Sequence, residues 1–245
     1  MDIVGPDVPR VAGTADEGTG RHMQTWPPID TEPPPDSSRR AHNKHAVRTS
    51  LLQAARQLFA ERGVAETTAE EIAEAAGVSR ATFFNYFQNK HGIVIALHDA
   101  HVATLGLLVD DLLSEPLTTS GRLDRLFEDV AATAAAAPVY FASLTGELER
   151  ELAVPAVSAA RTEQLTSTMA RVLAPGVPAG EVREDLPLRF LAQMVGSTYI
   201  SVIRYWRESP DYDIALNSAR AAHFLAEALA PPTPTHQDPG TGAGG

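Results

Sequence analysis

The stretch TTAEEIAEAAGVSRATFFNYFQNK, residues 67–90, decides how the rest of the chain is read. Thr68 followed by Glu71 is a capping box, so a helix opens there. It is short, because Gly77 can take the positive φ that ends it. Ser79 can cap a next helix through Tyr86, and Asn89 can cap another. Ala73 is small where the two short helices must cross, and Ile72, Ala76, Val78, Phe83 and Phe87 give both of them apolar inner faces. Two short helices locked across a glycine turn form a helix-turn-helix. Its second helix offers its N-terminal residues to the major groove.

The exposed chemistry of that segment suits DNA. Ser79, Arg80, Ala81 and Thr82 head the recognition helix, with Asn85 one turn on. Ser79 and Thr82 can bond phosphates or base edges, Arg80 can pair with guanine, and Asn85 can read adenine. Tyr86 can donate to a phosphate. The helix starts at Thr68 and at Asn89–Lys90 carry unpaired N–H groups that favour anions, and Lys90 adds charge. Such backbone contacts set register without reading sequence. A purely structural helical hairpin would use the same apolar residues, and Phe83 and Phe87 are core in either case.

Outward from this segment the chain is helical. Leu51, Ala55, Leu58 and Phe59 make one face of a first helix from about His42 to Arg62, stopped by Gly63. The fourth helix runs to about Ser114. Breaks at 115–121, Pro138, Pro155 and 175–185 separate further helical patterns at 122–137, 139–152, 156–173, 187–208 and 212–230. The predicted fold is all-α with about nine helices and no strand signals. Four segments follow: a Pro-rich disordered tail over 1–38, a DNA-binding domain over 39–92, an effector-binding and dimerisation domain over 93–230, and a disordered tail over 231–245. The long fourth helix joins the two domains.

The net charge is −11, which by itself disfavours nucleic acid. From Arg39 to Gly92, however, eight Lys/Arg face five Asp/Glu, a local +3 that leaves −14 on the remainder. Such asymmetry is expected where a single face meets phosphate. There is no Cys, so disulfides, thiolate metal sites and a Cys nucleophile are excluded. No uninterrupted run of 18 apolar residues and no secretory signal appear. No membrane association is expected, and the location expected is cytoplasmic. His98 and His101 flank Asp99 at a spacing that could hold a metal, but nothing completes the set, so no metal or other cofactor is expected. Glu147, Glu149 and Glu151 read as a solvated acidic face.

LLQAARQLFAERG (51–63) followed by residues 67–90 resembles the tetracycline-repressor (TetR) family of bacterial regulators. The likeness is close from Ala46 to Leu97 and holds only in outline beyond. It implies an all-helical homodimer with an N-terminal DNA-binding unit and a larger ligand-binding unit. It also implies DNA contacts at the positions of Thr68, the third helix, Tyr86 and Lys90. Phe84 stands where a Tyr hydroxyl often meets phosphate, so ring packing alone is expected there. His91–Gly92 replace the acidic residues common after the lysine. Arg39, Arg40, Lys44 and Arg48, with His45, precede the first helix as a basic arm that could add phosphate or minor-groove contacts.

The same resemblance pairs the helices at 187–208 and 212–230 with those of a second copy in a four-helix bundle. The first is apolar on more than one face through Phe190, Met194, Ile200 and Ile203, with Gly196 and Ser197 allowing close approach. A twofold dimer matches a near-palindromic double-stranded operator. An effector pocket is expected among the fourth to eighth helices. Its candidate walls are Leu105, Leu108, Phe127, Tyr140, Phe141, Leu144, Gln193 and Tyr199, although each would serve equally as core. Their apolar bias suggests a lipophilic or acyl effector. The function expected is a sequence-specific transcriptional regulator, a homodimeric repressor released by that effector. A helical enzyme or lipid-binding protein acting on an apolar ligand is the alternative. It lacks a nucleophile elbow, a phosphate loop and a His-Glu-x-x-His motif. A DNA-binding protein without an effector is the third possibility.

Overall fold

Helix boundaries in this chain follow its capping residues. The computed structural model describes residues 38–151 and 155–232. Ser38 accepts from the Ala41 N–H and opens α1, Arg39–Arg62, and Gly63 at φ 83° ends it by donating to the Phe59 carbonyl. Thr68 opens α2, Ala69–Ala75, and Ser79 opens α3, Arg80–Tyr86. Asn89 Oδ1 accepts from the Gly92 N–H at the head of α4, Lys90–Ser114. Thr118 caps α5, Thr119–Ala136. Proline is the first residue of both α6, Pro138–Glu151, and α7, Pro155–Leu173, a position where its missing N–H costs nothing. After a one-turn 3-10 helix at Ala174–Gly176 come α8, Leu188–Glu208, and α9, Ile214–Leu229, the latter capped by Asp213.

The architecture among the described residues is all-α, nine helices without a strand, as the periodicity predicts. Two starts fall earlier than expected. The Thr118 hydroxyl draws the start of α5 back to Thr119. Ser38 does the same for α1, so Arg39, Arg40, Lys44 and Arg48 form its exposed first turns and are not an arm preceding it. The two tails fall almost wholly outside the described residues.

Two apolar cores organise the chain. One gathers Leu51, Phe59, Ile72, Phe83, Ile93 and Leu97 from α1–α4, and α6 adds Tyr140, Leu144 and Leu148 to it. The other is built from α4, α5 and α7–α9 and includes Leu105, Phe127, Val195, Tyr199 and Leu225, with Phe141 of α6. Within it α5 lies along α9 and α7 along α8. Gly196 is buried here, and a Cβ on it would meet Leu165 at 3.3 Å. The close approach it permits is to α7 of the same chain.

A polar staple closes the far end of the second core. The Arg122 guanidinium is buried and donates to the carbonyls of Val172 at 2.9 Å and Leu117 at 2.5 Å and to Thr119 Oγ1 at 2.9 Å. Glu181 accepts from the Thr119 N–H and hydroxyl, which holds its carboxyl below the usual range. By length and composition α4 is apolar enough to cross a membrane, although no 18-residue run within it is wholly apolar. In this fold it packs against α1, α5, α6 and α7.

Candidate DNA-binding face

The α2–α3 turn is set by backbone geometry. Gly77 sits at φ 69° with its N–H on Glu74 O, and Val78 N–H reaches Ala73 O at 2.9 Å. This is a Schellman ending, which needs a residue tolerant of the left-handed region. Ala73 and Ile72 are buried against Phe83, the large side chain at the centre of the α2–α3 contact. The inner faces expected from the sequence are therefore the inner faces formed.

With Phe83 buried, α3 turns Arg80, Ala81, Phe84 and Asn85 to solvent, and Thr82 and Tyr86 are half-buried. Ser79 Oγ accepts from the Thr82 N–H and shares a 2.8 Å hydrogen bond with its hydroxyl, so both hydroxyls are oriented by the helix start. Arg80 Nε lies 2.8 Å from Glu70 Oε1. Its guanidinium carbon stands 5.5 Å over the Phe84 ring, and Phe84 meets Phe83 edge-on at 5.3 Å. Phe84 does pack its ring, as its missing hydroxyl suggests, and what it packs on includes Arg80.

Two expected phosphate sites are already in use. Thr68 Oγ1 and N–H both donate to Glu71 Oε2 at 2.8 Å, a complete capping box that holds the Glu71 carboxyl below its usual range. Glu70 and Glu71 also put negative charge on this helix start, which opposes an anion there. The Lys90 ammonium donates to Val64 O at 2.6 Å and Ala65 O at 3.2 Å. It ties α4 to the α1–α2 turn and does not point away as a free phosphate contact. Sequence spacing could not foresee this bond, because it spans 26 residues of chain. On α1, Arg48 lies over the Phe87 ring at 5.5 Å, which couples the basic first turns to the helix-turn-helix core.

The candidate effector walls divide between the two cores. Leu105, Phe127, Phe141 and Tyr199 are buried in the second core, with Leu108 and Gln193 half-buried. Phe127 and Tyr199 meet edge-on at 5.8 Å, Phe141 lies 5.7 Å from Trp206, and burial pushes the Tyr199 phenol up. Tyr140 and Leu144 belong instead to the first core, because α6 turns that face toward α1. A cleft of about 430 Å³ opens between the α1–α2 turn and α6, lined by Val64, Ala65, Ser143, Gly146 and Arg207 among others, and none of the expected wall residues borders it. Glu149 is not simply solvated, since it pairs with Arg204 at 3.4 Å and with Arg207. His98 Nδ1 faces the Arg161 guanidinium, which leaves that nitrogen unsuited to a cation.

Known proteins agree with this geometry. The family described as "Bacterial regulatory proteins, tetR family" matches residues 51–97. The HTH-type transcriptional repressor KstR2 of Rhodococcus jostii is 25% identical over 206 residues, covering 82% of this chain and 98% of that protein. The fatty acid metabolism regulator protein of Bacillus subtilis is 23% identical, covering 73% of this chain and 93% of that protein. The crystal structure of Thermus thermophilus FadR, a TetR-family transcriptional repressor in complex with lauroyl-CoA, superimposes with a TM-score of 0.62 at 30% identity. It covers 77% of this chain and 98% of that one. The recognition-helix geometry, the matched segment and this full-length likeness together place the chain in the TetR family of bacterial transcriptional regulators.

Proposed function

We propose that the chain works as a homodimeric repressor that leaves its operator when it binds an acyl-CoA thioester. The observation that carries the DNA half is the exposed head of α3, where Ser79, Arg80 and Ala81, with Asn85 a turn later, stand clear of the core beside a half-buried Thr82 on a helix locked by Phe83. Arg80 and Asn85 read base edges, while Ser79, Thr82 and Tyr86 hold the backbone. Arg39, Arg40, Lys44 and Arg48, on the exposed turns of α1, neutralise phosphates. Thr68 and Lys90 act chiefly by fixing α2 and α4 in place.

Support for the effector half comes from the lauroyl-CoA bound by the Thermus thermophilus relative. The residues read as the effector wall, Leu105, Phe127, Phe141 and Tyr199, lie together in the second core, with Leu108 and Gln193 at its margin. A protein acting on operator DNA in this way works in the cytoplasm. Two copies meet through α8 and α9, which leave Phe190, Met194, Tyr205, Leu216 and Phe224 exposed. Exposed apolar groups in such number on two adjacent helices mark an interface.

The test is a titration of the full-length protein against duplex DNA taken from upstream of its own gene, followed by addition of lauroyl-CoA. Specific binding by a dimer and release by the thioester are expected. Binding no tighter than to a scrambled duplex sinks the DNA half. Binding unmoved by lauroyl-CoA and by longer acyl-CoA thioesters sinks the effector half.

A further inference from the structure

We infer that Glu70 is a specificity-determining residue, which holds the Arg80 guanidinium as a guanine reader with Phe84 as its platform. The inference rests on the reading of α3 as the recognition helix. A guanidinium has three edges' worth of donors, and in solution a side chain with 70% of its area exposed would sample many rotamers. Two contacts restrict it here. Glu70 Oε1 lies 2.8 Å from Nε in an ion pair, and the Phe84 ring lies beneath the guanidinium carbon at 5.5 Å. Arginine stacks on an aromatic face while its planar fork stays open to acceptors. The planar Nη1/Nη2 fork has the geometry that matches guanine O6 and N7.

Both supports are anchored from below. Phe84 rests edge-on against Phe83, which is fully buried. Glu70 sits in the first turn of α2, and the Thr68–Glu71 capping box fixes that turn. Glu71 pairs with Arg62 at 3.0 Å, so the two neighbouring carboxylates hold different arginines and do not compete for Arg80. An arginine oriented before DNA arrives loses less freedom on binding, so more of each contact appears as discrimination. The carboxylate has a second consequence. A Glu70 without its arginine partner is an uncompensated negative charge beside the DNA backbone, so Glu70 would be a liability on this face if it did not hold Arg80.

The experiment is selection from a pool of random duplexes with full-length protein, comparing the natural chain with Arg80→Ala, Arg80→Lys, Glu70→Ala and Glu70→Gln. The natural chain should enrich guanine at one position in each half-site. Both Arg80 variants should lose that preference. Glu70→Ala should reduce it roughly tenfold while leaving the other positions, the melting temperature and the salt dependence of non-specific binding as they were. Glu70→Gln should recover part of it, because its amide oxygen can still lie against the guanidinium without the full charge. An unchanged guanine preference in Glu70→Ala overturns the proposal, and so does an equal loss at every position, which would mark a structural role. Guanine kept by Arg80→Ala overturns it as well. If the natural chain selects no sequence, the assignment of α3 to DNA reading fails first and this inference falls with it.

Discussion

Gly77 and Gly176 are both needed, for opposite reasons. Nothing lies within 4 Å of a Cβ added at Gly77, yet its φ of 69° belongs to the left-handed region. Gly77→Ala should therefore cost about 1 kcal/mol from the backbone alone. Gly176 is not in the left-handed region, but a Cβ there would lie 2.1 Å from Thr119 Oγ1 and 2.7 Å from Val182. Gly176→Ala should cost about 1–3 kcal/mol by overpacking, and more if it displaces Thr119 from Glu181. Urea unfolding of the two variants separates the effects, since only the second should weaken the α5 staple. Lys90 is a third case. Lys90→Met removes charge-assisted bonds to two carbonyls and should destabilise the first core by about 1.5–3 kcal/mol. A phosphate contact would predict another result, a smaller salt slope of DNA binding at unchanged stability. Thermal unfolding and salt titration of one variant decide between them.

At the scale of elements, α4 and α6 each belong to two cores, and this shapes their response. His98 and His101 of α4 are held neutral, pushed down to about 3 and about 4, chiefly by burial. Arg161 and His101 add to the effect at His98, and His101 packs on Phe141 at 5.5 Å. A histidine with a lowered folded value binds its proton more tightly when unfolded. Stability should thus be full above pH 6.5, the ordinary value, and should fall as pH drops from there toward 4. Glu71, Glu163, Glu181 and Asp185 have lowered values, so their contribution is lost at lower pH than the onset for histidine. His98→Gln with His101→Gln should flatten the curve between pH 6.5 and 5, measured by chemical unfolding across that window. In α6, Leu144 is buried among residues of α1 and α4. Leu144→Ala should cost about 2–5 kcal/mol and should loosen the DNA-binding unit although it lies outside residues 39–92. Hydrogen exchange in α1 reports it.

For the whole molecule, the proposed dimer rests on the exposed apolar side chains of α8 and α9. Phe224 is 64% exposed and Tyr205 57%. Phe224→Glu should convert a dimer to a monomer in light scattering. It should also weaken operator binding more than any single recognition-helix substitution, because the two half-sites are then bound independently. A variant that stays dimeric would remove Phe224 from the interface.

Helix boundaries, the glycine turn and the exposed head of α3 were legible in the sequence, because caps, periodicity and positive-φ glycines act over three or four residues. The ninefold helical order and the inner face of the helix-turn-helix followed from those local rules. What the tertiary structure alone decided were the pairings that span long stretches of chain. Lys90 went to the Val64 and Ala65 carbonyls and Arg80 to Glu70. Tyr140 and Leu144 joined the first core with residues of α1–α4. No periodicity reports which face of α6 meets α1, since the adjacent Tyr140 and Phe141 are both buried, but in different cores. Local chemistry determines where a helix starts and stops. Which partner a buried or charged side chain takes depends on how the helices cross, and that is set by all of them packing at once.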